Sequence, residues 1–344
     1  MSAASGNSPL PNPAIVLDLL EAFRRSKTMF AAVTLGVFDA LESGQKSTAA
    51  LAARFSADPD ALGRLLDACV GLGLLERAGD AYANTPVAST YLTSTSPNRF
   101  TGYLAFTDQV LWGLWAHLGD AIREGTSRWK QVYGTEGGVF SQIFRTPEVR
   151  REFLMGMHGY GLVSSPEVVA AFDLSRFRHL ADLGGATGHL AVAACLEYPG
   201  MQATLFDLPE VVPLAQELIG QTEVAGRVAT VAGDFFTDAL PAADLYALGR
   251  ILHDWTEEKI LRLLRRIHES LPAGGGLLIA EKLIAEDRSG PVWAHMQSLN
   301  MLLVTEGKER TLSEYTDLLK RSGFAKVEGR YTTAPVDAVL AIKE

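Results

Sequence analysis

HLADLGGATGHLAVAACLE, residues 179–197, decides the fold. Its first half is a short apolar run broken by one acid, the length and pattern of a buried strand. Gly184, Gly185 and Gly188 then crowd a turn, and an alanine- and leucine-rich segment without Gly or Pro reads as a helix from about 188 to 197. The same order of strand, turn and helix recurs downstream. QATLFD (202–207), VATVAG (228–233), DLYALG (244–249) and GLLIAE (276–281) are further apolar runs, with helical segments at about 209–220 and 256–271 and a shorter link between the third and fourth strands. Strands alternating with helices predict an α/β domain built on a doubly wound, mostly parallel sheet. After a helix over 311–322, AKVEGRY and DAVLAIK are separated by only a few residues, so these two strands are expected to be antiparallel neighbours.

The N-terminal third reads differently. Residues 1–13 are small, polar and proline-containing, the composition of a tail. From 14 to 105 the pattern predicts a separate, largely helical unit. Ser47 or Thr48 caps a helix, Asp58-Pro59 opens a second, and Gly79-Asp80 turns a short hairpin, which together make a winged-helix-like pattern. A DNA-reading role is disfavoured: residues 47–95 hold three arginines against five acids, a net of −2, where a groove reader is basic. The second domain is expected to run from 106 to 344. Its first part, 106–165, is helical and rich in aromatic and Met residues, among them Trp112, Trp115, Phe140, Phe144, Met155 and Met157.

Composition narrows the function classes. With 344 residues, 47% of them hydrophobic, the chain is large enough for two cores. A net charge of −9 makes nucleic acid a poor expected partner. Cys69 and Cys195 stand far apart with no metal-like spacing, which suits a reducing cytoplasm. No apolar run approaches the roughly 18 residues of a membrane span, and no signal peptide is evident. Neither HExxH nor paired His with a carboxylate at ligand spacing occurs, so no metal is expected.

In open α/β sheets ligands bind at the carboxyl ends of strands, and three successive strand ends here carry suitable groups. A dinucleotide fingerprint starting at Gly184 would need glycine at 186 and 189, where the chain has Ala186 and His189. The S-adenosylmethionine pattern, acid-x-Gly-x-Gly-x-Gly, is met by Asp182, Gly184 and Gly188, with Ala186 as the one departure. Asp207 ends the second strand, where an acid accepts from ribose hydroxyls or caps the helix starting near Pro209. Gly233, Asp234 and Phe235 follow the third strand, an acid beside an aromatic that suits an adenine ring. The fourth strand runs into Arg250-Ile-Leu-His253-Asp254-Trp255. His253 at that place is either a catalytic base or a buried histidine bonded to the backbone, and Trp255 is either a pocket wall or core.

The series DLGGATG, FDLPEV, GDFF, RILHDW and NMLLVTEGKERT resembles the S-adenosylmethionine-dependent small-molecule O-methyltransferases, among them the acetylserotonin (hydroxyindole) O-methyltransferases. The likeness runs from about residue 14 to the end. It implies a seven-stranded sheet with one antiparallel strand and a homodimer formed through the N-terminal domain. It implies a cofactor site of Asp182, Gly184, Gly185, Gly188, Asp207, Leu208, Gly233, Asp234, Phe235 and Arg250, with Phe144 added from the aromatic stretch. By the same resemblance His253 is the general base, flanked by Glu309 and Glu281. By it too Asp254 and Asn300 face the acceptor; Trp255, Met157, Met296 and Val304 are further candidates on that side, and His158, in MGMHGYG, is either a group near the cofactor or acceptor or a packed histidine. Two positions depart from the pattern: Val304, where hydroxyindole enzymes tend to carry Gln, and Gly161, where an aromatic is expected.

The expected reaction moves a methyl group to the hydroxyl of a small aromatic acceptor, leaving S-adenosylhomocysteine. From ordinary values of about 10 for a phenol and about 6.5 for imidazole, full prior proton transfer would be uphill by roughly 5 kcal/mol. Three other readings remain: a same-fold enzyme with non-methylating chemistry, a winged-helix regulator of DNA, and an NAD-dependent dehydrogenase.

Overall fold

The computed structural model describes residues 10–135 and 145–344. The chain packs as two units, Met1–Ser96 and Pro97–Glu344. The sequence set the division some ten residues later. The helix Thr101–Phe106 belongs to the second unit because it lies close along the helix Pro147–Ala170. That approach needs Gly102: a Cβ there would sit 2.0 Å from the Glu152 carbonyl oxygen.

The first unit opens with the helix Ala14–Leu35, ended by Gly36 at φ 75°. The helix Thr48–Phe55 begins on Ser47, whose hydroxyl accepts from the Ala50 amide. The helix Pro59–Gly71 begins on Asp58, whose carboxylate accepts from the Ala61 amide at 2.8 Å. Such caps are each worth about 1 kcal/mol because they satisfy amides the helix cannot. Strands β1 (Lys46–Ser47), β2 (Leu75–Ala78) and β3 (Ala81–Asn84) form an antiparallel sheet in the order β1-β3-β2. Helix, turn, helix and hairpin thus follow one another as the winged-helix-like pattern predicts.

The second unit is built on seven strands: β4 (His179–Leu183), β5 (Gln202–Asp207), β6 (Val228–Ala232), β7 (Leu245–Gly249), β8 (Gly276–Glu281), β9 (Lys326–Arg330) and β10 (Asp337–Ile342). Their order is β6-β5-β4-β7-β8-β10-β9, with β4 to β8 parallel and β10 antiparallel to both its neighbours. Helices cover both faces. One core gathers Leu180, Leu190, Leu205 and Leu278, and the other gathers Leu183, Tyr246, Leu248 and Ile279. The helix Glu257–Ser270 shows why the pattern was legible. Thr256 caps it, Glu257 and Glu258 sit in its positive first turn, and Ile260, Leu261, Leu263, Leu264 and Ile267 form one buried stripe.

The chain order reverses at β4, which has β5 on one side and β7 on the other. Connections leave these strands in opposite directions, so a crevice opens between their carboxyl ends. The glycine-rich turn after β4 and the RILHDW segment after β7 meet there.

Among the described residues no helix is long and apolar enough to cross a membrane.

Candidate active site

A cavity of about 230 Å³ occupies that crevice. Its floor is the turn after β4, in which Gly184, Ala186 and Gly188 all take positive φ, 69°, 51° and 82°. Ala186 pays for that geometry with about 1–2 kcal/mol of strain. Its amide is held by the Asp207 carboxylate at 2.8 Å, while the other Asp207 oxygen accepts from the Leu208 amide at 2.7 Å. Asp207 therefore ties β5 to the turn after β4. It does not cap the next helix, which starts at Val212 with no side-chain cap.

The groups around this turn carry unmet polar capacity. Asp182 is buried, and its Oδ2 has no hydrogen-bond partner among the described residues. Burial, opposed by the Ala191 amide and helped by the Asp207 charge, raises its pKa to about 7. Burial likewise raises Asp207 to about 6. Arg250, at φ 57°, has a buried Nε without a partner among the described residues, and its guanidinium stands 5.4 Å from the Tyr160 ring centroid. One acid oxygen and one guanidinium nitrogen without partners, lining the same crevice as the second acid Asp207, fit a ligand that brings hydroxyls, an ammonium and a carboxylate, as S-adenosylmethionine does.

Opposite the turn, residues Leu252–Asp254 make a single 3-10 turn that holds His253 4% exposed. The ring Nδ1 lies 2.6 Å from Glu309 Oε1 and 3.2 Å from Glu281 Oε2. Glu281 Oε1 accepts from the Ile251 and Leu252 amides at 3.0 and 2.8 Å. Glu281 is thus a positioning residue: from the end of β8 it holds the backbone that carries His253. Burial alone would discharge the imidazole, but the charges of Glu281, Glu309 and Asp254 outweigh it and raise His253 to about 10. Burial raises Glu281 to about 7 and Asp254 to about 6, against the opposing charge of His253. His253, Glu281 and Glu309 offer atoms close enough together to suggest a metal cage. Yet donors bound about 2.1 Å from a tetrahedral zinc lie about 3.4 Å apart. The 2.6 Å separation of Nδ1 and Oε1 is the length of a charge-assisted hydrogen bond.

Of the residues expected from the sequence, Asp182, Gly184, Gly185, Asp207, Leu208, Phe235, Arg250, His253, Asp254, Trp255, Asn300, Met157 and Val304 line the cavity. Trp255 also packs edge-on against Phe236, so it is both wall and core. Glu281 and Glu309 lie behind His253. Gly188, Gly233, Asp234, His158 and Met296 are not in the lining. Asp234 folds back on its own loop, accepting from the Phe236 amide. His158 turns to Thr187, with Nδ1 and Oγ1 2.8 Å apart, and burial lowers it to about 4. Phe144 lies outside the described residues.

The reading missed His189, which had served only as a failed glycine in the dinucleotide pattern. It lines the cavity, bonded to Ser165 at 2.8 Å, and burial lowers it to about 3. It also explains Gly161. A Cβ at 161 would meet the His189 ring at 2.1 Å, so the imidazole fills the space where an aromatic was expected. The missing aromatic was itself the signal that another side chain stands there.

Residues 115–325 match the model of an O-methyltransferase domain, and residues 17–94 match an O-methyltransferase dimerisation domain. The chain is 41% identical to the acetylserotonin O-methyltransferase of Gallus gallus, over 97% of this chain and 98% of that protein. It is also 41% identical to a probable bifunctional dTTP/UTP pyrophosphatase/methyltransferase protein of Homo sapiens, of whose length it spans only 54%. The crystal structure of human N-acetylserotonin methyltransferase in complex with SAM superposes with a TM-score of 0.90 at 40% identity, covering 98% of this chain and 99% of that one.

Glu281→Ala should strand two buried amides and lower folding stability by about 2–5 kcal/mol, read from urea unfolding. Glu281→Gln, whose amide oxygen still accepts both, should lose less than half as much. Equal losses would refute the anchoring role.

Proposed function

The chain belongs to the S-adenosylmethionine-dependent O-methyltransferase family, and we propose that it methylates the hydroxyl of a small aromatic acceptor with His253 as general base. The observation that carries this reading is the buried 2.6 Å pair of His253 Nδ1 and Glu309 Oε1 at the cavity wall. The carboxylate keeps a proton on Nδ1, which leaves Nε2 to receive the proton of an acceptor hydroxyl, as in other His–carboxylate pairs. Nε2 is 3.8 Å from Asp254 Oδ1, beyond hydrogen-bond distance, so Asp254 does not occupy it.

Asp182 and Arg250 would hold the cofactor with their unmatched oxygen and nitrogen, and Asp207 with the lone pairs that its two amide bonds leave free. When bound, S-adenosylmethionine supplies an electrophilic methyl group on a positively charged sulfur. The apolar side chains of Phe106, Phe153, Leu154, Met157, Met301 and Val304 suit a flat ring on the acceptor side and exclude water from it.

The raised His253 changes the energetics expected from ordinary values. Its acidic neighbours raise it to about 10, so the ring takes a proton more readily than a free imidazole and the transfer is less uphill than ordinary values give. The same shift leaves most of His253 protonated at neutral pH, and only the unprotonated ring can accept.

The partner in solution would be a second copy of the chain. Helix Ala14–Leu35, which runs into the dimerisation-domain match at residue 17, exposes Ile15, Val16, Leu19 and Phe23, with Ile15 71% exposed. A stripe of that kind is covered in a stable protein.

Three measurements check these statements. Purified protein given S-adenosylmethionine and a panel of phenols and hydroxyindoles, N-acetylserotonin included, should release S-adenosylhomocysteine and form products heavier by one methyl group. In that assay His253→Ala should lower turnover about 10²–10⁴-fold with cofactor affinity kept; near-normal turnover would remove the base assignment. The kcat/KM for the acceptor should climb with pH from 7 toward 10, and Glu309→Gln, one anion fewer, should move that limb to lower pH. A flat profile above pH 7 contradicts the raised base. Light scattering should give twice the chain mass, falling to one when Leu19 and Phe23 become Asp.

A further inference from the structure

His189 opens the helix His189–Glu197 directly after the glycine-rich turn, and it lines the cavity together with Ser165 and Arg250. Burial, then the charges of His158 and Arg250, lower it to about 3, so at neutral pH the ring carries a proton on one nitrogen alone. Its neighbours show which. Ser165, on the helix Pro147–Ala170, is 3% exposed, and its Oγ lies 2.8 Å from His189 Nδ1. The adjacent Ser164 donates its proton to the Tyr160 carbonyl, whereas the partner of Ser165 among the described residues is the imidazole. A proton on Nδ1 would strand the buried Ser165 proton; a bare Nδ1 accepts it and satisfies both groups. The ring proton therefore sits on Nε2, and Nε2–H is the end left for a ligand.

We propose that Ser165 holds the His189 ring in its Nε2–H form, and that Nε2–H joins Arg250 in gripping the carboxylate of the cofactor, so that this chain selects its cofactor by that carboxylate. The buried Arg250 Nε has no partner among the described residues, and its guanidinium stands against Tyr160, on the helix that carries Ser165. A fixed N–H donor and a cation in one cavity wall suit an anion with two oxygens. The methionine end of S-adenosylmethionine brings one such group, and its ammonium suits the unmatched Asp182 oxygen. Gly161 is part of the device: a Cβ there would lie 2.1 Å from the ring, so a larger residue would push the imidazole off the Ser165 hydroxyl. Ser165 acts through His189 and is a positioning residue. The inference rests on the cofactor reading of the cavity, and on neither the acceptor nor the base.

Calorimetry compares S-adenosylhomocysteine with its decarboxylated analogue, 5′-(3-aminopropyl)thio-5′-deoxyadenosine, which keeps the nucleoside, the sulfur and the amine. The ratio of the two affinities reads the hold on the carboxylate. His189→Ala should lower that ratio about tenfold or more, the contribution of a hydrogen bond to a charged group. His189→Gln, whose amide N–H group reaches about as far as Nε2, should keep the ratio within about threefold of the wild type. A turn that merely loosened would weaken both ligands together and leave the ratio unchanged. An unchanged ratio in His189→Ala overturns the proposal, and so does a His189→Gln ratio as low as that of His189→Ala. Long-range ¹H–¹⁵N spectra of histidine-labelled protein should show Nδ1 bare and Nε2 protonated in the ring whose signals vanish in His189→Gln. The opposite pattern, or a ring that Ser165→Ala leaves locked in one form, overturns it as well. No binding of S-adenosylhomocysteine by the wild type would reject the cofactor reading and the proposal together. The expected ratios without methyl transfer to any acceptor would uphold the carboxylate grip and reject the proposed reaction.

Discussion

One buried carboxylate sets the geometry of the site. Glu281 ends β8, fully buried, and its Oε1 takes the Ile251 and Leu252 amides in the turn that follows β7. That turn cannot continue the sheet, because Arg250 is already at positive φ. Its amides need an acceptor where no water reaches, and an unmatched buried amide is costly. A side chain from the neighbouring parallel strand supplies it. The same residue brings a second oxygen to within 3.2 Å of His253 Nδ1, so backbone support and electrostatic tuning come from one group.

The cavity is an arrangement of charges held in a poorly solvated space. Asp182, Asp207, Asp254 and Glu281 are all pushed toward their neutral forms by burial, while His253 is pushed toward its charged form by its acidic neighbours. His158 and His189 go the other way, kept neutral by burial and bonded to Thr187 and Ser165. Two kinds of histidine in one unit thus divide by surroundings. Those beside hydroxyls stay neutral, His189 in the cavity wall and His158 outside it, and the one beside carboxylates is held toward its charged form.

Much of this was legible because it is local. The strands β5 and β8 span the residues the apolar pattern marked, and the helix Glu257–Ser270 lies within one residue of its predicted ends. Strand length, caps and amphipathic stripes depend on neighbours a few residues away, so the chain writes them out in order. The resemblance to the methyltransferases was legible for the same reason: each of its motifs is one strand end with the turn that follows. The long helix Pro147–Ala170 was read only as part of a helical stretch, since its glycines and Pro166 obscure its period. Its glycines answer to contacts with Phe100, Tyr103 and His189, which lie far away along the chain.

The sequence by itself determined the class of sheet, the order of strands and helices, and the residue types at each strand's carboxyl end. Periodicity and turn chemistry act over a few residues, and they leave these in plain view. Only the tertiary structure decided which of those residues share a cavity. It turned Asp234 and His158 aside, brought His189 in against Gly161, and set the Trp115 indole against the Asn300 amide across 185 residues of chain. It also decided the proton affinity of His253, because a charge is tuned by what lies within a few ångströms, and here those groups come from three separate parts of the chain.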